Sequence, residues 1–286
     1  MKRALLAVLL LALCAPAQPK RIVSTFPSAT ETLFALGAGD RVVGVSTYCR
    51  YPPAALTLPK VGSYMKPDAE KIALLRPDLV VVEKGNTALE DRLAALHIRY
   101  VDVQYRSLAD VFTMIRDIGA AVRAPARAES VNNEIRSQLD SIRGESAASP
   151  RLTVLLVVGR TPGLLTNLVV AGPSTYLSEL LEIAGGVNAM KDIAIPYPHI
   201  SLETVVRLNP DAILDMSMMG ESGDPAVRED GLRHPWLSHR ELAAAANGDV
   251  FGLTSETLVT PGPRVVEAVS EIRSRLRIVL SRKGRR

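Results

Sequence analysis

The chain has 286 residues, enough for about two domains. Its composition, with 47% hydrophobic and 22% charged residues, is typical of a folded protein with a sizeable core and excludes a disordered chain. A net charge of +4, 2 cysteines and 4 histidines argue against a nucleic-acid-binding protein, a disulfide-stapled miniprotein and a zinc framework.

The first 17 residues predict an export signal. Lys2 and Arg3 precede an unbroken apolar run, Ala4 to Cys14, and a small-x-small cleavage sequence, Ala15-Pro16-Ala17, follows it. As a helix, this run of 11 residues would span about 16 Å, which is too short to cross a bilayer. We therefore expect residues 1–17 to be a signal peptide and the protein to be periplasmic. A lipoprotein tether through Cys14 is the alternative.

The next part of the chain alternates strand-like and helix-like segments. Ser28-Ala29-Thr30-Glu31 matches a capping box that would begin a helix, and Gly37 would close it. Further helices are predicted over Glu70 to Leu75 and Leu89 to Leu96. The β-rich runs are Arg21 to Ser24, Val42 to Val45, Leu79 to Val82 and Arg99 to Val103. This alternation predicts α/β architecture with largely parallel strands.

A long helix with one narrow apolar stripe is predicted between residues 126 and 143. The stripe consists of Val131, Ile135, Leu139 and Ile142, and the helix is expected to end in the stretch from Gly144 to Pro150. A second α/β series follows, with strands at Leu152 to Val158, Ala212 to Leu214 and Asp249 to Leu253. In it, His234-Pro235-Trp236 is predicted to form a turn.

The predicted fold class is therefore α/β, with two α/β lobes of largely parallel sheets joined by a single long backbone helix. The predicted divisions are a signal peptide over 1–17, an N-terminal lobe over 18–123, a linking helix over 124–149 and a C-terminal lobe over 150–286.

An internal repeat relates the two lobes. Each has a tyrosine six residues before a glutamate and a Pro-Asp pair seven residues after it: Tyr64, Glu70 and Pro77-Asp78, then Tyr197, Glu203 and Pro210-Asp211. Asp68 and Ser201 would cap the two helices, and each glutamate would lie in a first turn, where the helix dipole favours a carboxylate. The dipole alone is one explanation of the glutamates. The tyrosines, which a helix start does not require, favour a functional one.

Four of the seven tyrosines lie in proline-containing loops after predicted strands: Tyr48, Tyr51, Tyr64 and Tyr197. Loops at the carboxyl ends of strands are where α/β folds bind ligands, and tyrosine suits a large, planar, partly apolar one. Glu83 and Glu256 end strand-like runs and are either contacts to the polar rim of that ligand or ordinary solvated acids.

Catalytic constellations are missing from the sequence. It contains no G-x-S-x-G elbow, no Walker loop and no G-x-G-x-x-G motif, so we predict no enzymatic activity. His199, two residues from Tyr197, is the histidine that we place nearest to a site. Cys49 is interpreted as a buried structural thiol, with metal ligation or reactivity as the alternative.

Taken in order, these segments resemble the periplasmic substrate-binding proteins of ABC importers, in the class with a helical backbone, and within it the cobalamin-binding proteins. The resembling stretches are RIVSTFPSATETLFALGAGDRVVGVSTYCRYPP, LPKVGSYMKPDAEKIALLRPDLVVV, AGPSTYLSELLEIAGGVNAMKD, ISLETVVRLNPDAIL and HPWLSHRELAAAANGDVF. The resemblance implies two lobes bridged by one rigid helix, with the ligand clamped in the cleft between them.

The resemblance also implies roles for individual residues. By motif position, the cleft aromatics fall on Tyr48, Tyr64 and Tyr197. The glutamates that dock onto arginines of the permease, one per lobe, fall on Glu70 and Glu203. Cobalamin binders carry tryptophan where this chain has Tyr64, Tyr197 and Glu83, so haem and ferric siderophores, which relatives with the same scaffold bind, are the alternative ligands.

The function that we expect is that of an extracytoplasmic solute-binding protein, which captures a corrinoid, with cobalamin as the first candidate, and delivers it to an ABC importer permease in the inner membrane. We expect a monomer with no nucleic-acid partner, no metal site and no cofactor other than the bound ligand. A secreted α/β hydrolase and a sensor lobe are the competing classes. The missing nucleophile elbow argues against the first, and the lack of a later apolar run of transmembrane length argues against the second.

Overall fold

The computed structural model describes residues 18–218 and 224–285; the predicted signal peptide, with Cys14, lies outside the described residues. The chain divides into two units. Unit 1 comprises the described residues up to Val103 together with Arg116–Ala128, and unit 2 comprises Gln104–Ile115 together with the described residues from Glu129 onward. The segment 104–115, which the sequence analysis places in the N-terminal lobe, thus groups with unit 2, where Asn132 Nδ2 donates a hydrogen bond to the Phe112 carbonyl at 3.0 Å.

Unit 1 is built on a parallel sheet of four strands. Its elements are β1 (Ile22–Ser24), α1 (Pro27–Ala35), β2 (Val42–Val45), α2 (Ala69–Leu74), β3 (Leu79–Glu83), α3 (Thr87–Ala95) and β4 (Tyr100–Val103). The strand order is β2-β1-β3-β4, and all three pairings are parallel. The central strands β1 and β3 are almost entirely buried, as near-continuous apolar runs in parallel sheets usually are.

The predicted capping box at the start of α1 is wrong. The helix begins at Pro27, whose fixed φ suits the first helical position, so Ser28 already lies inside the helix and is buried. The N-cap residue is Phe26, which makes no side-chain cap hydrogen bond. Gly37 follows the end of α1 with a φ of 73°, which confirms the predicted stop.

Two consecutive helices contain residues of both units, α4 (Leu108–Ala121) and α5 (Pro125–Ala147). The apolar stripe predicted for α5 is confirmed, because Val131, Ile135, Leu139 and Ile142 are all buried. The helix ends at Ala147, within the predicted stretch from Gly144 to Pro150, and Gly144 lies inside its last turn. A single glycine in a helix costs only about 1 kcal/mol relative to alanine, which the packed stripe outweighs.

Unit 2 contains a mixed sheet of six strands. Its remaining elements are β5 (Leu152–Gly159), β6 (Leu168–Val170), α6 (Tyr176–Ile183), β7 (Gly186–Asn188), β8 (His199–Ile200), α7 (Leu202–Leu208), β9 (Ala212–Asp215), α8 (Pro225–Leu237), α9 (Ala243–Ala246), β10 (Val250–Gly252) and α10 (Val265–Lys283). The order is β10-β9-β5-β6-β8, with β7 also paired to β5. The β5–β6 and β6–β8 pairings are antiparallel. For β5 and β6, the connecting loop 160–167 is too short for the crossover that a parallel pair needs.

The predicted turn at His234-Pro235-Trp236 is wrong, because these residues form the last turn of α8. Pro235 has no N–H to donate to the carbonyl of Gly231, four residues earlier. That carbonyl instead accepts a hydrogen bond from Arg160 Nη2 at 3.4 Å. Trp236 is fully buried, and its burial anchors the helix end against the core of unit 2.

Within residues 18–218 and 224–285, no helix has both the length and the apolar character that a membrane span requires.

Candidate functional site

Two of the predicted ligand-binding tyrosines, Tyr48 and Tyr64, lie together in unit 1. Their ring centroids are 5.4 Å apart, and the rings meet edge to face at 72°. The loops that carry them are joined by a hydrogen bond from the Thr47 N–H to the Gly62 carbonyl at 2.9 Å. Both rings stay partly exposed, at 46% and 38%. The pair therefore presents aromatic surface to solvent.

The turn after Tyr64 leads directly into α2 and to Glu70. Gly62 has a φ of +97°, and a Cβ there would lie 2.7 Å from the Lys66 carbonyl oxygen, so the turn requires glycine. Asp68 caps α2 by accepting from the N–H groups of Glu70 and Lys71, both at 3.1 Å. The carboxylate of Glu70 is exposed in the first turn, as the sequence predicts.

The second copy of the repeat is built in the same way in unit 2. Ser201 caps α7 by accepting from the Thr204 N–H at 3.2 Å. Glu203 is exposed in the first turn. Both predicted N-caps are thus confirmed, and each unit presents one exposed first-turn glutamate.

Tyr197 lines a cavity of about 590 Å³ that lies within unit 2. The cavity is bounded by Tyr105, Arg106, Val158, Ser174, Thr175, Tyr176, Leu177, Pro196, Tyr197, Leu258, Val259 and Pro261. Burial raises the pKa of the Tyr197 hydroxyl further above the neutral range. Most of the lining is aromatic or aliphatic, which suits a large, partly apolar ligand.

The backbone just before Tyr197 packs closely against Gly172. The Gly172 N–H donates to the Pro196 carbonyl at 2.7 Å. A Cβ on Gly172 would overlap the Ile195 carbonyl oxygen. Only glycine therefore allows this loop to approach so closely.

The two predicted acids, Glu83 and Glu256, lie in different units. Glu83 is the last residue of β3 and is partly buried; Tyr48 follows β2 of the same parallel sheet, so both lie at its carboxyl edge. Glu256 opens a short 3-10 helix, Glu256–Val259, whose last two residues line the cavity. His199 is exposed on β8. Within the described ranges, no cluster of three or more His, Cys, Asp or Glu side chains is placed to hold a metal ion.

Cys49 is buried, as interpreted from the sequence. The Thr30 hydroxyl donates to its sulfur at 3.1 Å. Burial raises the pKa of the thiol, which keeps it protonated and unreactive around pH 7.

Comparison with known proteins identifies the family. The model of the periplasmic binding protein family matches residues 22–257. The chain belongs to the periplasmic binding protein family. This family consists of solute-binding proteins, which is the class expected from the sequence and not that of the hydrolase alternative.

Three relatives illustrate the similarity. The vitamin B12-binding protein of Vibrio cholerae is 29% identical over 268 residues, covering 93% of this chain and 92% of that protein. A crystal structure of the V. cholerae protein has a TM-score of 0.76, with 27% identity and coverage of 92% of this chain and 99% of that chain.

The second relative, an ABC transporter substrate-binding lipoprotein of Bacillus subtilis, is 30% identical over 263 residues, which are 89% of this chain and 79% of that protein. The third is the periplasmic haem-binding protein of Roseiflexus sp. RS-1, whose structure has a TM-score of 0.78 and 25% identity and covers 91% of this chain and 99% of that chain.

Part of the cavity of this periplasmic binding protein was not predicted from the sequence. Tyr105 and Arg106 follow β4 directly, and a loop at the carboxyl end of a parallel strand is the feature that would have marked them. Residues 174–177 at the start of α6 have no comparable sequence signal, because the pattern around Tyr176 and Leu177 is that of buried residues in a helix.

We predict that Gly172→Ala will disturb the Tyr197 loop. The added methyl group forces the Ile195 carbonyl away, and overpacking of this kind costs about 1–3 kcal/mol of unfolding free energy. Denaturant titration measures that loss. Gly144→Ala in α5, where a Cβ meets open space, is the matched control and should be neutral or stabilising. Equal stability of the two variants would contradict the close approach.

Proposed function

We propose that this periplasmic binding protein captures a corrinoid, with cobalamin as the representative ligand, and delivers it to an ABC importer permease. The observation that carries the proposal is the cavity of about 590 Å³ lined by tyrosines and aliphatic side chains, including Tyr197. The exposed pair of Tyr48 and Tyr64 in unit 1 adds aromatic surface of the same kind. Similarity to the vitamin B12-binding protein of V. cholerae supports a corrinoid in particular.

Haem is the second candidate, because a haem-binding relative has the same fold. Haem iron in proteins takes an axial ligand from a side chain such as tyrosinate, whereas cobalamin carries its own axial base. Tyr197 lines the cavity and could supply such a ligand, so haem stays the competing candidate.

A titration separates the candidates. The purified protein is titrated with cobalamin, haem and a ferric siderophore, and binding is followed by the visible absorbance of each ligand. We expect saturable binding of cobalamin and weaker or no binding of the other two. Saturation by haem or a siderophore with no response to cobalamin would overturn the corrinoid proposal.

Tyr64→Ala and Tyr197→Ala are expected to weaken cobalamin binding about five- to a hundredfold each. The reason is the loss of an aromatic face, which is worth about 1–3 kcal/mol when it packs against a flat ring. Since both rings are partly exposed, neither variant should lose much stability. Titration by absorbance measures the change.

The matched controls are Leu96→Ala in unit 1 and Val227→Ala in unit 2, which remove exposed apolar side chains outside the cavity lining. They should bind as the unchanged protein does. Unchanged affinity in both tyrosine variants would remove these side chains from the site.

The proposal places the mature protein in the periplasm, after removal of residues 1–17. Delivery would use Glu70 and Glu203, which are exposed, one in each unit. Fractionation of cells that express the full-length chain tests the location, and an accumulation of uncleaved protein in the cytoplasm would contradict it.

A further inference from the structure

One charged side chain projects from the described residues that line the cavity of unit 2, that of Arg106. Its neighbours in the lining are tyrosines, prolines, aliphatic residues and two hydroxyl residues. No ion pair or hydrogen bond between described residues involves its guanidinium group. Arg106 is exposed, so its charge is now stabilised by solvent.

The backbone of Arg106 is held in place by Asp110 in the first turn of α4. Asp110 Oδ2 accepts from the N–H groups of Arg106 and Ser107, both at 3.0 Å, and from Gln104 Nε2 at 3.1 Å. Partial burial opposes ionisation of Asp110, but these hydrogen bonds outweigh it and lower its pKa. The loop that carries Arg106 is therefore fixed by an ionised carboxylate over the whole neutral range.

A ligand that fills the cavity would remove water from this guanidinium. Removing a charge from water without a partner is unfavourable, so a ligand that brings an anionic group is selected over one that does not. The guanidinium fork matches the two oxygens of a phosphate or a carboxylate, and such charge-assisted pairs are about twice as strong as neutral hydrogen bonds.

We infer that Arg106 binds an anionic oxygen group on the periphery of a tetrapyrrole ligand. This rests on the proposed function. In cobalamin that group is the phosphodiester of the nucleotide loop, and in haem it is a propionate carboxylate. In both ligands the guanidinium would pair with an anionic oxygen group. The tyrosines would recognise the flat ring, and Arg106 would favour those ring ligands that carry a negative charge.

The test is a cycle of two proteins and two ligands. Arg106→Gln and the unchanged protein are each titrated with cobalamin and with cobinamide, a corrinoid that lacks the nucleotide loop and its phosphodiester. We expect Arg106→Gln to weaken cobalamin binding about ten- to a hundredfold and to leave cobinamide binding unchanged. Arg106→Lys, which keeps the charge but loses the fork, should fall between the two for cobalamin.

Arg92→Gln, which removes an exposed arginine of α3, is the matched control and should bind both corrinoids normally. Circular dichroism checks that each variant is folded. Equal loss of cobalamin and cobinamide, or no loss of either, would overturn the inference.

The design separates this inference from the proposed function. If the unchanged protein binds haem and no corrinoid, the corrinoid proposal fails, and the same cycle is run with haem and its dimethyl ester. Loss of haem binding alone in Arg106→Gln then supports the inference with a carboxylate as the anion. A protein that binds none of the four ligands overturns it.

Discussion

Replacing Asp215 with alanine is expected to lower the free energy of unfolding by about 3–5 kcal/mol. The carboxylate, at the end of β9, is fully buried, and it pairs with the equally buried guanidinium of Arg160 at 2.8 Å. Removing it leaves a cation inside unit 2 with no counter-charge among the described groups that it contacts. An uncompensated buried charge is among the most destabilising changes that one substitution can make.

Asp215 also holds two other groups. Its Oδ2 atom accepts from Trp236 Nε1 at 2.8 Å, and its Oδ1 atom accepts from the hydroxyl of Ser217 at 2.7 Å. The tryptophan ties α8 to the strand end, and Arg160 ties the loop after β5 to the same point. Loss of one carboxylate therefore loosens three segments at once, which a surface ion pair does not do.

Denaturant unfolding of Asp215→Ala, followed by tryptophan fluorescence, measures the effect, since Trp236 is the one tryptophan of the chain. Asp140→Ala is the matched control, because it breaks an ion pair with Arg143 in which both side chains are exposed, and such pairs contribute about 0–1 kcal/mol. Asp215→Asn keeps an acceptor for Trp236 and should fall between the two. A loss in Asp215→Ala no larger than in Asp140→Ala would contradict the role assigned to the buried pair.

Elements that contain a buried apolar run or stripe were mostly predictable from the sequence, short strands such as β1 and β2 included. The α5 stripe and the buried runs of β3 and β5 each contain enough apolar residues to be predicted from the sequence. Strands such as β8, with 2 residues, exist only because β6 lies beside them, and no local pattern marks that pairing. Helix α4 was not predicted although its sequence does carry a local pattern. Val111, Met114, Ile115 and Ile118 have clear helical spacing and are buried.

The sequence indicated some residues of the candidate site but not how they are arranged. Loop position alone indicated Tyr48 and Tyr64, whereas their contact depends on the hydrogen bond between Thr47 and Gly62, which sequence does not show. Arg106 was not predicted as a site residue. Its relevance comes from the tyrosines around the same cavity, which reach it from distant parts of the chain.

Replacing Glu70 and Glu203 together with alanine is expected to abolish delivery and to leave capture unchanged. Each carboxylate is exposed in the first turn of its helix, α2 or α7, and no ion pair between described residues involves either one. A charge-assisted hydrogen bond to a permease arginine is worth about 1.5–3 kcal/mol. Losing both would weaken docking by more than about a hundredfold.

Glu70 and Glu203 also have a purely structural explanation, which predicts a different result. A carboxylate in a first helical turn stabilises the helix by about 0.3–1 kcal/mol through the helix dipole. If that is their whole role, the double variant loses up to about 2 kcal/mol of folding stability and nothing in transport. Stability, ligand affinity and uptake are therefore measured on the same variant.

The deciding measurement is uptake of radiolabelled cobalamin by cells that carry the cognate importer and the variant binding protein. Asp91→Ala with Asp230→Ala is the matched control, since it also removes one exposed helical carboxylate from each unit. We expect normal ligand titration in both double variants and loss of uptake in the glutamate variant only. Normal uptake with Glu70→Ala and Glu203→Ala would leave the helix dipole as the explanation of both residues, and equal loss in the two variants would mean that net charge, not these two positions, governs docking.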